Sequence, residues 1–121
     1  MSESAFIVGI GMTKFGKHPS LDTEDLGVEA VLGALADADM RMSDVEILTA
    51  GNIMGGVGIG QRLQKQLGQR GIPVFNVENA CATGATALRT LILAIKAGEA
   101  DVGLAIGVEK LAGVGLLSRG G

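Results

Sequence analysis

Apolar runs alternate with helix-periodic stretches along this chain. Ala5 to Ile10 is a short, near-continuous apolar run and predicts a buried strand, with a loop from Gly11 to Ser20 after it. Asp22 or Thr23 can cap a following helix, in which Leu26, Val31, Leu35 and Ala38 fall near one face and Glu24, Asp25, Glu29 and Asp37 mostly elsewhere. Val45 to Ile53 reads as the second strand, Gly55 to Gly60 as a flexible loop and Gln61 to Gly68 as a short polar helix. Pro73 to Val77 reads as the third strand. In the helix predicted from Ala82 to Ala97, Ala85, Leu88, Leu91, Ile92 and Ile95 make a wide apolar stripe and Leu93 extends it, so this helix is expected to be covered all round. Asp101 to Val108 is near-continuously apolar, as in a strand buried on both faces. The alternation predicts a layered α/β fold with a mixed, mostly parallel sheet. No internal repeat or linker interrupts it, and Leu111 to Gly121 has no clear period.

Length and composition narrow the function classes. A chain of 121 residues fits one domain with a usable core. Hydrophobic residues make up 47% and charged residues 19%, which excludes a disordered chain. The 20 glycines lie well above the usual share of about 7% and point to tight turns and close backbone packing. Only Phe6, Phe15 and Phe75 are aromatic and the net charge is −3, so neither base stacking nor a basic field supports a nucleic-acid partner. A single cysteine forbids an intrachain disulfide and favours a reducing compartment. Glu3 stands where a signal peptide would carry basic residues, and no apolar run approaches the ~18 residues of a membrane span. A soluble, cytoplasmic protein is the expectation.

The chemistry concentrates on that one cysteine. Cys81 lies at the junction between the third strand and the apolar helix, where the positive end of a helix dipole favours a thiolate. Ala80, Ala82, Thr83, Gly84 and Ala85 crowd the turn with small residues, which let a carbonyl group approach the sulfur and leave first-turn N–H groups open to an oxyanion. The same position also suits a buried cysteine acting as a small hydrophobe.

The segment Asn79-Ala80-Cys81-Ala82-Thr83-Gly84, with Ala87-Leu88-Arg89, Ala97-Gly98-Glu99-Ala100-Asp101-Val102 and Gly107-Val108-Glu109-Lys110, resembles the nucleophile region of the thiolase superfamily. The nearest likeness is to the branch of sterol-carrier-protein thiolases and acetyl-CoA acetyltransferases. Ile7 to Gly16 resembles that branch's opening strand and loop, and the likeness runs from about Ala5 to Leu111. Thr83 stands for the usual Ser after Cys-Ala, Ile106 for the first glycine of a Gly-Gly pair, and Leu111 and Ala112 for the usual Met and Ser. Thiolase-like proteins have two similarly folded halves, so residues 1–121 resemble an incomplete N-terminal domain: a fragment, a proteolysed remnant, the ordered part of a larger protein, or a short subunit.

Rival motifs are weaker. Gly11-Met12-Thr13-Lys14-Phe15-Gly16-Lys17 begins like a phosphate-binding loop, but His18 replaces the metal-holding hydroxyl and Pro19 opposes helix initiation there, so a surface loop is expected. Lys14 occupies the position of the third glycine of a dinucleotide fingerprint. His18, the only histidine, reads as structural or solvated, and one Cys with one His falls short of a zinc site.

The resemblance implies an acyl-CoA acyltransferase in which Cys81 takes an acyl group as a thioester, with Ala82, Thr83 and Gly84 supporting the nucleophile turn and Asn79 and Glu109 around it. Glu109 reads either as an organiser of backbone near the nucleophile or as a solvated strand-end carboxylate. No permanently bound cofactor is implied; coenzyme A thioesters are the substrates. The family's histidine base and second cysteine belong to a C-terminal half. A homodimer or tetramer, or a complementary subunit, is implied, with Phe75 to Glu78 and the glycine-rich loop as interface candidates. The alternatives are a condensing or retro-aldol enzyme on the same scaffold and a non-catalytic partner subunit.

Overall fold

The structure, a computed structural model, describes residues 4–68 and 71–111. Three parallel strands, β1 (Ile47–Gly51), β2 (Val74–Val77) and β3 (Gly103–Gly107), form a sheet in the order β2-β1-β3. Three helices accompany them: α1 (Thr23–Ala38), α2 (Ile59–Leu67) and α3 (Thr83–Lys96). The chain steps from β1 outward to β2 and then back across β1 to β3. Right-handed crossovers of opposite direction put their helices on opposite faces, which is why α2 and α3 flank the sheet.

The side-chain alternation of the strands matches the two layers. Leu48, Ala50, Leu104 and Ile106 join Val31, Leu35, Ile59 and Leu63 of α1 and α2 in the main buried cluster. On the other face the strands carry Ile47, Thr49, Gly51, Gly103, Ala105 and Gly107. These are mostly small, so α3 packs close: a Cβ on Gly103 would run into Leu91 of α3. Every residue of β1 is buried, as expected of a central strand covered on both faces.

Local signals set the helix ends. Asp22 caps α1: its carboxylate accepts from the Asp25 N–H at 2.8 Å, and the Asp25 carboxylate accepts from the Asp22 N–H at 3.0 Å. Asp39 ends α1 in the left-handed conformation, φ 53°.

Two expectations are corrected. Ala5 to Ile10 is not a strand; it has no ladder partner among the described residues. It runs along α1 instead. The Ile10 N–H donates to the Asp37 carboxylate at 2.8 Å, and a Cβ on Gly9 or Gly11 would overlap the backbone of Ala30–Ala38. An apolar cavity of about 660 Å³ separates this segment from β3, with α1 on one side and α3 on the other. The apolar run is real, but the edge of β3 lies across the cavity from it. The second correction concerns α3. It buries Thr83, Ala87 and Leu91 on one face, while Leu88 and Leu93 stay exposed, so among the described residues it is covered on the sheet side only. The glycine-rich loop leads into α2 two residues earlier than the polar pattern predicts, and a short 3-10 turn, Met42–Asp44, precedes β1. The aperiodic stretch beyond Leu111 lies outside the described residues.

Candidate active site

All three strands point their C-terminal ends the same way, and Gly51, Val77 and Gly107 are in register there. Open parallel sheets form their sites at this edge. Cys81 follows β2 by four residues and lies in a single 3-10 turn, Ala80–Ala82, that runs directly into α3. Its side chain is an exposed free thiol, so within this chain it is not the packed hydrophobe that the turn also allowed.

The turn is tightly determined. Ala80 adopts φ 47°, a left-handed conformation that an L-residue holds only against roughly 1–2 kcal/mol of strain. The Ala80 N–H donates to the Glu78 carboxylate at 2.5 Å. The Asn79 N–H donates to the Thr83 hydroxyl oxygen at 2.8 Å, and that hydroxyl donates to the Ala80 carbonyl at 2.6 Å. The Asn79 side-chain amide donates to the Thr86 hydroxyl at 3.1 Å. The Ala82 N–H donates to the Asn79 carbonyl and the Thr83 N–H to the Ala80 carbonyl. Two of the N–H groups expected to face a substrate are therefore spent inside the turn. Gly84, next along, is exposed, with open space where a side chain would stand.

The strand ends shape the floor beneath it. A Cβ on Gly51 would lie 2.8 Å from both Cγ2 and the carbonyl oxygen of Thr83, and one on Gly107 would lie 3.0 Å from Cα of Gly84. Two glycines at the ends of β1 and β3 thus admit the first turn of α3 against the sheet.

Glu109 works on a neighbouring element. Its carboxylate accepts from the Ile53 N–H at 2.9 Å, the Met54 N–H at 3.0 Å and the Asn52 amide at 3.2 Å. Asn52 also donates to the Val108 carbonyl at 2.6 Å and accepts from the Gly55 N–H at 2.6 Å. Glu109 and Asn52 together bind the loop after β1 to the end of β3. Asn79, Cys81, Thr83 and Gly84 are brought together; Glu109 stands at the same sheet edge but is engaged with residues 52–54.

Sequence reasoning missed Asn52 and Thr49, the bond from the Ala80 N–H to Glu78, and the positive φ of Ala80. Carboxylate and amide side chains just after a strand often bond nearby backbone, which marks Glu78 and Asn52 in retrospect. Nothing in the alanine at position 80 signals a positive φ. His18 does not join the site: its Nε2–H donates to the Lys14 carbonyl at 2.7 Å within the N-terminal loop. Among the described residues no three His, Cys, Asp or Glu side chains converge as a metal site, and no helix is long and apolar enough to cross a membrane.

Comparison with known proteins gives this edge a context. The thiolase N-terminal domain family matches residues 5–118. The chain belongs to the thiolase family. It is 45% identical over 115 residues to sterol carrier protein 2 of Gallus gallus, covering 93% of this chain and 21% of that protein. It is 36% identical over 113 residues to acetyl-CoA acetyltransferase of Methanothermobacter thermautotrophicus, covering 89% of this chain and 30% of that one. The solved structure of 3-oxoacyl-[acyl-carrier-protein] synthase III from Aquifex aeolicus VF5 superimposes with a TM-score of 0.59 at 19% identity, over 66% of this chain and 27% of that chain. The last likeness supports the thiolase-like fold. This thiolase-family chain spans 21% and 30% of the length of these two sequence relatives.

Proposed function

We propose that the chain carries the nucleophile of an acyl-CoA acyltransferase of thiolase type. The observation that supports this most is an exposed Cys81 held in a strained turn at the start of α3, on the C-terminal edge of a parallel sheet. In this reading the Cys81 thiolate attacks the 3-keto carbon of a 3-ketoacyl-CoA. The bond between C2 and C3 breaks, an acetyl-CoA enolate leaves and is protonated, and the shortened acyl group remains on sulfur as a thioester. The thiol of free CoA then displaces it. The reverse direction joins two acyl-CoA molecules. Covalent capture divides one difficult exchange into two easier ones. The Gly84 N–H is the proposed donor to the oxygen as charge develops on it.

Turnover also needs an acid for the enolate and a base for the incoming thiol. The family resemblance gives these roles to a histidine and a second cysteine of a C-terminal half, and this chain has a single cysteine. The 121-residue chain alone is therefore expected to show no thiolase turnover, while its Cys81 thiol stays open to alkylation. Acyl-CoA and CoA are the proposed partners, a homo-oligomer the proposed assembly and the cytoplasm the proposed location.

The test is intact-mass spectrometry before and after acetoacetyl-CoA. Gain of one acetyl unit, absent in Cys81→Ser, supports the reading. An unmodified thiol in a folded chain joined to its full-length remainder rejects it in favour of a non-catalytic partner. Sustained CoA-dependent turnover by the 121-residue chain alone would reject the division of roles.

A further inference from the structure

We infer that Thr83 is a positioning residue for Cys81, its hydroxyl forming a clasp that gives the thiol-bearing turn one presentation. This deepens the reading of Cys81 as an acyl acceptor and rests on it. The clasp has two bonds: the hydroxyl oxygen accepts from the Asn79 N–H at 2.8 Å, and the hydroxyl donates to the Ala80 carbonyl at 2.6 Å. Cys81 and Ala82 are the residues enclosed between its two ends.

Three features make the clasp more than an ordinary local bond. It secures Ala80, whose φ of 47° is a conformation that persists only where the surroundings hold it. Thr83 is only 7% exposed, so unpaired groups in its place would be shielded from water. Its rotamer is also fixed from outside the turn. The γ-methyl and the backbone of Thr83 lie against Gly51 at the end of β1, and a β-branched side chain pressed on that side has little freedom at χ1. The methyl therefore aims the hydroxyl, the hydroxyl holds residues 79 and 80, and these set the direction from which Cys81 meets a substrate. A nucleophile held this way has less motion to lose on reaching the reacting geometry.

The experiment compares the parent chain with Thr83→Val, which keeps the methyl and removes the hydroxyl, and Thr83→Ser, which keeps the hydroxyl. Two readouts are taken by intact mass: the rate of Cys81 alkylation by iodoacetamide at one fixed pH, and the rate of Cys81 acetylation by acetoacetyl-CoA in the chain joined to its full-length remainder. Circular dichroism and thermal melting report folding. The expected result is a Thr83→Val alkylation rate moved toward that of the urea-unfolded chain, with acetylation slower by about tenfold or more, while Thr83→Ser stays within about twofold of the parent. A purely structural role would lower the melting temperature and leave the alkylation rate of the folded protein in place. If Thr83→Val does not fold, Thr83→Ala, which relieves the contact with Gly51, replaces it in the same comparison. A folded hydroxyl-free variant with the parent's alkylation rate overturns the inference, as does a parent rate already equal to that of the unfolded chain. The two readings separate cleanly. An altered alkylation rate with no acetylation of the parent joined to its full-length remainder keeps the clasp and rejects acyl transfer; equal acetylation of parent and Thr83→Val keeps acyl transfer and rejects the clasp.

Discussion

The buried hydroxyl of Thr49, at the centre of β1, donates to the main-chain carbonyl of Ala87 in α3 across 2.8 Å. This is the polar tie between the central strand and the helix that carries the nucleophile turn. Thr49→Val removes the donor with little change of volume. The carbonyl keeps the option of its helical bond, so only the net worth of one hydrogen bond is lost. Urea unfolding is expected to show a loss of about 1 kcal/mol, with an unchanged slope. Thr49→Ala adds a small void and is expected to be worse than Thr49→Val.

The glycines beneath the turn lead to a different expectation. Gly51→Ala would push its methyl against Thr83, and Gly107→Ala would press on Gly84. In both cases the obstacle includes backbone, which cannot swing aside like the end of a flexible side chain. Each substitution is expected to destabilise by about 1–3 kcal/mol. Each is also expected to slow alkylation of Cys81, whereas Gly68→Ala at the end of α2, remote from the turn, is expected to leave the alkylation rate unchanged. Measuring both quantities on all three variants checks whether the strand ends and the thiol are mechanically connected.

Much of this arrangement was legible in the sequence, and the gaps have physical reasons. The apolar runs at 45–53, 73–77 and 101–108 each contain an observed strand, and the cap of α1 is Asp22, one of the two candidates Asp22 and Thr23. These are local or periodic signals. The position of Cys81 between β2 and α3 was legible for the same reason. Ala5 to Ile10 failed because an apolar run states a wish for burial and not a ladder partner; partner choice is decided by the rest of the sheet. The breadth of apolar surface on α3 was read correctly as composition, yet composition cannot say which side a chain of this extent covers. Ala80 is legible as a small residue of the turn, but its positive φ is not, because it is held by Glu78 and Thr83 and not by its own side chain.

Glu109 supplies a prediction about order at the sheet edge. Its two carboxylate oxygens serve three donors from Asn52, Ile53 and Met54. Glu109→Gln keeps the size, replaces one acceptor by a donor and turns that donor toward N–H groups. Backbone amide exchange at Ile53 and Met54 is expected to speed up markedly, while exchange in the core of β1, at Leu48 and Thr49, changes little. Equal acceleration at both places would mean that Glu109 supports global stability and not the loop.

The N-terminal segment carries the last prediction. Phe6, Ile7, Val8 and Ile10 are 81%, 70%, 60% and 73% exposed, and the segment borders the cavity of about 660 Å³ against β3, α1 and α3. Isolated apolar residues on a surface need no explanation, but four within five positions, beside an apolar cavity and a strand edge that is unpaired among the described residues, form a contiguous patch of the kind that binds apolar surfaces or self-associates. An environment-sensitive apolar dye such as ANS is therefore expected to bind the folded chain, and sedimentation is expected to show association that grows with concentration. Ile7→Glu and Val8→Glu are expected to reduce both effects. Their stability is expected to stay within about 0.5 kcal/mol of the parent, because neither side chain is in the core. Retained dye binding in the double variant would move the adhesive surface to the exposed side of α3, where Leu88 and Leu93 stand, and Leu93→Glu would then be the variant that abolishes it.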